Sequence, residues 1–174
     1  ANRVVIGART NVQDGTVIHC ERGKPKHPEG FPTIIGDDVL IGGPGNNTLT
    51  GGEGSDTFLW QQGNTGHDRV TDFTPGTDRL DLSQLLQGEN ATSASLDDYL
   101  HFKVTQTGTG VISTIEVSAV AGATPTQTIE LAGIDLATHY GVTPGAGGIV
   151  SGGVDTTRMI DGLFGDQALR VESV

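Results

Sequence analysis

Between residues 33 and 59 three consecutive nine-residue windows, TIIGDDVLI, GGPGNNTLT and GGEGSDTFL, converge on the pattern G-G-x-G-x-D-x-U-x, where U is apolar. Gly36, Gly45 and Gly54 take the fourth place, Asp38, Asn47 and Asp56 the sixth, and Leu40, Leu49 and Phe58 the eighth. A period of nine matches neither the ~3.6 residues of a helical turn nor the ~2 of a flat strand. It matches a chain that turns for about six residues, runs extended for about three, and stacks coil on coil with the eighth side chain inward. A fourth window, WQQGNTGHD, keeps only Gly63, so the pattern predicts that the roll ends there.

Glycine lets the backbone turn tightly and aim its carbonyls at a common point. Calcium takes about six to eight hard oxygen ligands, and a carboxylate from one turn with carbonyls from adjacent turns supplies most of them. Asp56 is the best candidate ligand and Asp38 the next, while Asn47 offers an oxygen without a charge. Gly36, Gly43, Gly45, Gly52 and Gly54 complete the candidate calcium turns. The alternative is a plain turn in which Asp caps the backbone; three windows in register favour the ion. Repeat units bury a continuous core only by stacking, so a roll this short must rest on the coils before it or the chain after it.

The charge agrees with a cation as partner. Acidic residues number 21 against 10 basic, a net charge of −11, which argues against nucleic acid or an anionic membrane surface. Arg3, Arg9, Arg22, Lys24 and Lys26 balance Asp14, Glu21, Glu29, Asp37 and Asp38, so the whole excess lies in residues 43–174. No apolar run approaches the ~20 residues of a membrane span, and ANRVVIGART lacks the zones of a secretory signal. Export would therefore use a route without a cleaved N-terminal signal. The chain starts at Ala1 inside a strand-like run and reads as a piece of something longer, and the lone Cys20 excludes an internal disulfide framework.

Before residue 42 the period is six: Ile6, Val12, Ile18, Ile35 and Ile41 predict a triangular solenoid with one inward residue per face. Pro25, Pro28 and Pro32 make residues 20–33 an extruded loop. After the roll, Asp68, Asp72, Asp78 and Asp81 interleave with Val70, Phe73, Leu80 and Leu82, as in strands with one wet face, with a turn at Thr74–Thr77. These acids are either solvated or part of a further calcium site; as a glycosidase pair they lack an aromatic sugar platform. Residues 99–106, 111–120 and 127–134 alternate as antiparallel strands. Asp155–Ile160 opens one short helix capped by Asp155 or Thr156, and ALRVESV is a last strand. His101 and His139, beside Tyr99 and Tyr140, read as structural.

The expected fold is all-β: solenoid and β-roll coils followed by an antiparallel sandwich-like cap with one short helix. The expected divisions are 1–42 (hexapeptide fragment), 33–66 (calcium roll) and 67–174 (β-rich cap).

The run GDDVLIGGPGNNTLTGGEGSDTFLW followed by HDRVTDFTPGTDRLDLSQLL resembles the end of an RTX protein. Residues 36–174, with SLDDYLHFKV, QTIELAGIDL and RMIDGLFGDQALRVESV, resemble the C-terminal target domain of type I secreted bacterial adhesins. That resemblance implies a calcium-loaded β-roll, with Asp68, Asp72 and Asp78 as further calcium residues, and a cap carrying an uncleaved export signal. It implies partners in an ABC transporter, a periplasmic adaptor and an outer-membrane channel, and a place on the bacterial surface, in biofilm adhesins, without membrane insertion or catalysis.

VVIGARTNVQDGTVIHCERG and GFPTIIGDDVLIG are similar to γ-class carbonic anhydrases, left-handed β-helices with zinc between subunits. The resemblance implies His19 as a zinc ligand, supported by Arg9, Gln13 and Asp14. The family's next histidine directly follows the place of Leu40-Ile41-Gly42, where this chain has Gly43 and no histidine before His67. A catalytic zinc needs three protein ligands and an open position. His19 is then a vestigial ligand, and a zinc enzyme is the alternative reading. IGDDVLIGG satisfies both families, which points to a composite chain. A purely structural solenoid of the ice-binding kind would need flat ranks of threonine, and none is present.

Overall fold

The computed structural model describes residues 4–8, 10–12, 33–35 and 38–171. Its strands are β1 (Val4–Ile6), β2 (Asn11–Val12), β3 (Thr33–Ile35), β4 (Val39–Ile41), β5 (Thr48–Leu49), β6 (Thr57–Leu59), β7 (Gly66–Val70), β8 (Arg79–Asp81), β9 (Leu100–Thr107), β10 (Gly110–Val117), β11 (Gln127–Ala132), β12 (Ile149–Val150) and β13 (Leu169–Arg170). The helices are α1 (Ser93–Leu96), α2 (Leu136–His139) and α3 (Gly153–Gly165). The regular structure of the described residues is mostly strand, with few helices.

From β4 to β8 each strand crosses to the sheet opposite the one before. β4, β6 and β8 lie side by side between β2 and β13, and β5 and β7 begin the sheet β5-β7-β11-β10-β9-β12. Every pairing among β2, β4, β6, β8 and β13 is parallel, as are β1 with β3 and β5 with β7. Register aligns Leu40 with Phe58, Phe58 with Leu80 and Leu80 with Leu169. A second column runs Leu49, Val70, Leu131. Both columns are buried in one core, so the eighth-place residues Leu40, Leu49 and Phe58 point inward as the nine-residue period requires. Trp60, Phe58 and Phe73 are the largest fully buried side chains in that core, each contributing about 2–3 kcal/mol by leaving water.

The antiparallel segment follows the expected strands closely: β10 pairs with β9 on one side and with β11 on the other. It does not stand apart from the coils. β11 pairs in parallel with β7, and β13 in parallel with β8, so chain from beyond residue 126 covers both strand edges that the last coil would expose. Unpaired edges are templates for association, and here the protein fills its own. The division placed between residues 66 and 67 falls inside β7. Gly66, with φ 137°, begins that strand where a side chain would overlap the Gly45 carbonyl of the preceding coil.

Three expectations need correction. Ile6 is 48% exposed: β1 pairs with β3 in a separate two-stranded sheet, so not every sixth side chain turns into the core; Ile18 lies outside the described residues. The long helix begins at Gly153, with Gly152 in the cap position and no side-chain cap. It is seated instead by Thr156, Met159, Ile160 and Leu163, a buried, mainly apolar stripe at helical spacing. One helix was expected, yet α1 and α2 each form a single turn, capped by Thr92 and Asp135. Such one-turn helices carry too little periodicity to read in sequence.

Candidate calcium-binding turns

The connections between strands stack along two edges of the coils. On one edge, turn 42–47 (β4 to β5) lies against turn 60–65 (β6 to β7): the Gly45 amide donates to the Thr65 carbonyl at 2.8 Å and the His67 amide to Asn46 Oδ1 at 2.9 Å. At its centre is Asp68, fully buried. Asp68 Oδ1 accepts from the Asn47 backbone amide at 2.8 Å and from Asn47 Nδ2 at 2.7 Å. Its Oδ2 accepts from Trp60 Nε1 at 2.7 Å and Gln127 Nε2 at 2.9 Å. Four N–H donors converge on this carboxylate. Asn47 Nδ2 also faces the Gly43 carbonyl at 3.3 Å and the Gly45 carbonyl at 3.5 Å.

On the other edge, turn 50–56 (β5 to β6) lies against turn 71–78 (β7 to β8). Asp72 accepts from the Gly51 amide at 3.0 Å and the Gly52 amide at 2.8 Å. Asp78 takes the Asp56 amide at 3.0 Å and the Thr74 amide at 2.8 Å. Asp72 thus caps two amides of the coil before it, and Asp78 one amide of that coil and one of its own turn. Asp56 itself is buried, and a Cβ added to Gly51 would lie 2.5 Å from its Oδ2. Gly51 is therefore a cradle that only glycine leaves open, with a hard carboxylate oxygen set in it. That donor chemistry fits calcium, and Asp56 with carbonyls of its own and neighbouring turns would hold the ion.

Asp38 is half-buried with φ 56°; its amide bonds the Ala8 carbonyl at 3.0 Å and its carbonyl the Thr57 amide at 2.9 Å, tying the first coil to the second. Gly43, Gly45, Gly52 and Gly54 all have positive φ, as tight turns require. Gly36, Arg9, Gln13, Asp14 and His19 lie outside the described residues. Among the described residues no three His, Cys, Asp or Glu side chains converge as a metal cage, so an ion in these turns needs backbone oxygens as well.

Trp60 and Gln127 escape the sequence reading: they complete the Asp68 centre from 8 and 59 residues away, and no local pattern announces them. Asp81, expected on a wet face, is buried and binds the Ser83 hydroxyl at 2.5 Å and Arg170 at 3.2 Å. His139 meets Asp166 at 3.0 Å, and Tyr140 donates to the same carboxylate at 3.2 Å. Burial first, then the charge and hydrogen bond of Asp166, pushes the Tyr140 phenol above its ordinary range. His101, exposed on β9, stands opposite Glu116. No helix among the described residues is long and apolar enough to cross a membrane.

Comparison with known proteins gives short matches and distant folds. Protein YrdA of Escherichia coli (strain K12) is 49% identical over 39 residues, 22% of this chain and 21% of its own length. A protein of Methanocaldococcus jannaschii named "Probable carbonic anhydrase" is 44% identical over 41 residues, 24% of this chain and 21% of its own. The chain thus spans about a fifth of the curated relatives it matches. The AlgE6R3 subunit of the Azotobacter vinelandii mannuronan C5-epimerase has 22% identity and a TM-score of 0.38, covering 76% of this chain and 72% of that one. The AlgE6R2 subunit has 23% identity and a TM-score of 0.38, covering 75% and 84%. Residues 34–59 match the family model of the RTX calcium-binding nonapeptide repeat, the stretch that contains both turns 42–47 and 51–56, and repeats of this kind bind calcium.

Proposed function

We propose that this chain is the calcium-binding RTX module at the C-terminal end of an extracellular adhesin, serving type I secretion and calcium-triggered folding outside the cell, with no catalysis of its own. The observation that carries it is the nonapeptide match at residues 34–59 in coils whose ladders continue in register into the C-terminal strands. RTX repeats are typical of extracellular proteins. In this reading residues 1–42 form a hexapeptide stub, 33–66 a β-roll and 67–174 a sandwich-like cap bearing the export signal read by the ABC transporter apparatus. Asp56 and Asp38 are its calcium ligands.

Calcium makes the module a switch. With a Kd on the order of 10⁻⁴ M, millimolar calcium adds about 1.4 kcal/mol per site, and micromolar calcium adds almost nothing. The net charge of −11 works in the same direction, since carboxylates that repel in a calcium-poor compartment are neutralised outside it. The test is a thermal melt of the chain in millimolar calcium and in EDTA. The expected result is a lower melting temperature in EDTA; identical curves would overturn the reading. A zinc-dependent carbonic anhydrase is the second reading, supported by the 44% identity to the Methanocaldococcus jannaschii protein over 41 residues. It predicts CO₂ hydration by the zinc-loaded chain.

A further inference from the structure

The two best nonapeptide turns differ at their sixth residue, Asn47 in one and Asp56 in the other. Asn47 Nδ2 has oxygens on three sides: Asp68 Oδ1 at 2.7 Å, the Gly43 carbonyl at 3.3 Å and the Gly45 carbonyl at 3.5 Å. A carboxylate and two glycine carbonyls of a G-G-x-G turn converging on one point are the hard oxygens that a divalent cation collects. Here a nitrogen bearing two hydrogens occupies the point.

We propose that turn 42–47 takes no calcium and that the Asn47 side-chain amide replaces the cation there, making position 47 the residue that decides which turn of the roll is ion-dependent. The amide's orientation follows from its neighbours. Asp68 Oδ1 already receives the Asn47 backbone amide, and an Asn47 oxygen facing that buried carboxylate would set acceptor against acceptor in a part-buried place. The turn is also closed around the amide, because a Cβ on Gly42 would meet Asn47 Nδ2 at 3.2 Å and Asp68 Oδ2 at 3.4 Å. Asp68 is held in place by Trp60 and Gln127 and cannot swing away to widen the cage. With aspartate at position 47, two carboxylates and two carbonyls would share that space. Their repulsion would be large without a counter-ion, and a divalent cation would reverse it.

The proposal rests on calcium binding by the neighbouring repeat only for its wild-type ion count. The experiment pairs elemental analysis of bound calcium after dialysis with thermal melts in EDTA and in calcium, for the intact chain, Asn47→Ala and Asn47→Asp. Asn47→Ala is expected to lower the EDTA melting temperature by about 5 °C and to leave the calcium count unchanged. Asn47→Asp is expected to melt still lower in EDTA, to bind one more calcium per chain than the parent, and to recover its melting temperature when calcium is present. Loss of an ion in Asn47→Ala would show Asn47 to be a ligand and overturn the proposal, as would an unchanged count in Asn47→Asp. If Asn47→Asp folds only in calcium, its count is taken there and Asn47→Ala supplies the EDTA comparison. A parent chain that binds no calcium would instead defeat the reading of turn 51–56, while the ion gained by Asn47→Asp would still decide this proposal.

Discussion

Turns 42–47 and 51–56 have the same glycine places in the same repeat and sit on opposite edges of the same coils, yet their surroundings share little. The first is sealed by a buried carboxylate, an indole and a glutamine from the antiparallel sheet. The second is capped by Asp72 and Asp78 through backbone amides, with Asp56 left in a glycine cradle. The difference teaches that a nonapeptide sets the path of the backbone, while the side chains of the following coil set what the turn is filled with. One edge converges on a single buried carboxylate, and the other spreads its backbone amides over two.

The contrast can be broken most forcefully at Asp68. Asp68→Ala removes the shared acceptor of four N–H donors, two of them in buried contacts, and is expected to cost about 3–4 kcal/mol in urea unfolding, nearly the same with and without calcium. A loss confined to calcium-containing buffer would move Asp68 to the ion-dependent edge. Chelation comes next: removing calcium is expected to lower the melting temperature by about 3–6 °C per ion. In Asp56→Ala that calcium-dependent increment should shrink by one ion's worth; an undiminished increment would place the ion elsewhere. Asp72→Asn keeps one acceptor oxygen and turns the other into a donor, so it loses the charge and one of the two amide hydrogen bonds, an expected loss of about 1–2 kcal/mol by equilibrium denaturation. Smallest is Thr71→Val, which removes the exposed hydroxyl contact with Thr50 at 2.7 Å and should stay within about 0.5 kcal/mol in the same measurement.

What the sequence shows of this molecule is what its local periods encode. Leu40, Leu49 and Phe58 are inward because the eighth place of a nine-residue coil is inward, and the alternation of residues 99–106, 111–120 and 127–134 becomes β9, β10 and β11 with ends moved by up to three residues. Turn 74–77 lies where its Pro-Gly pair indicates, between β7 and β8. That those two strands belong to different sheets, each continued in parallel by a distant segment, has no signature in residues 67–86. The Asp68 centre was hidden for a similar reason. An aspartate among apolar residues reads equally as a solvated face or a metal ligand until Trp60 and Gln127 are brought to it. Gly153 and Val154 open α3 without the polar cap by which a helix start is recognised, so the sequence reading started it two residues late.

The strand pairings also impose an order in time. β13 reaches β8 only when residues 169 and 170 are available, and the Arg170–Asp81 contact joins residues 89 positions apart. Closing so long a loop is slow compared with forming neighbouring coils. During synthesis β8 is expected to stay bare until Ala168, Leu169 and Arg170 have emerged to pair with it. A truncation just before Leu169 would keep strands β4–β8 and the turns between them, and is expected to leave the β8 edge open to association.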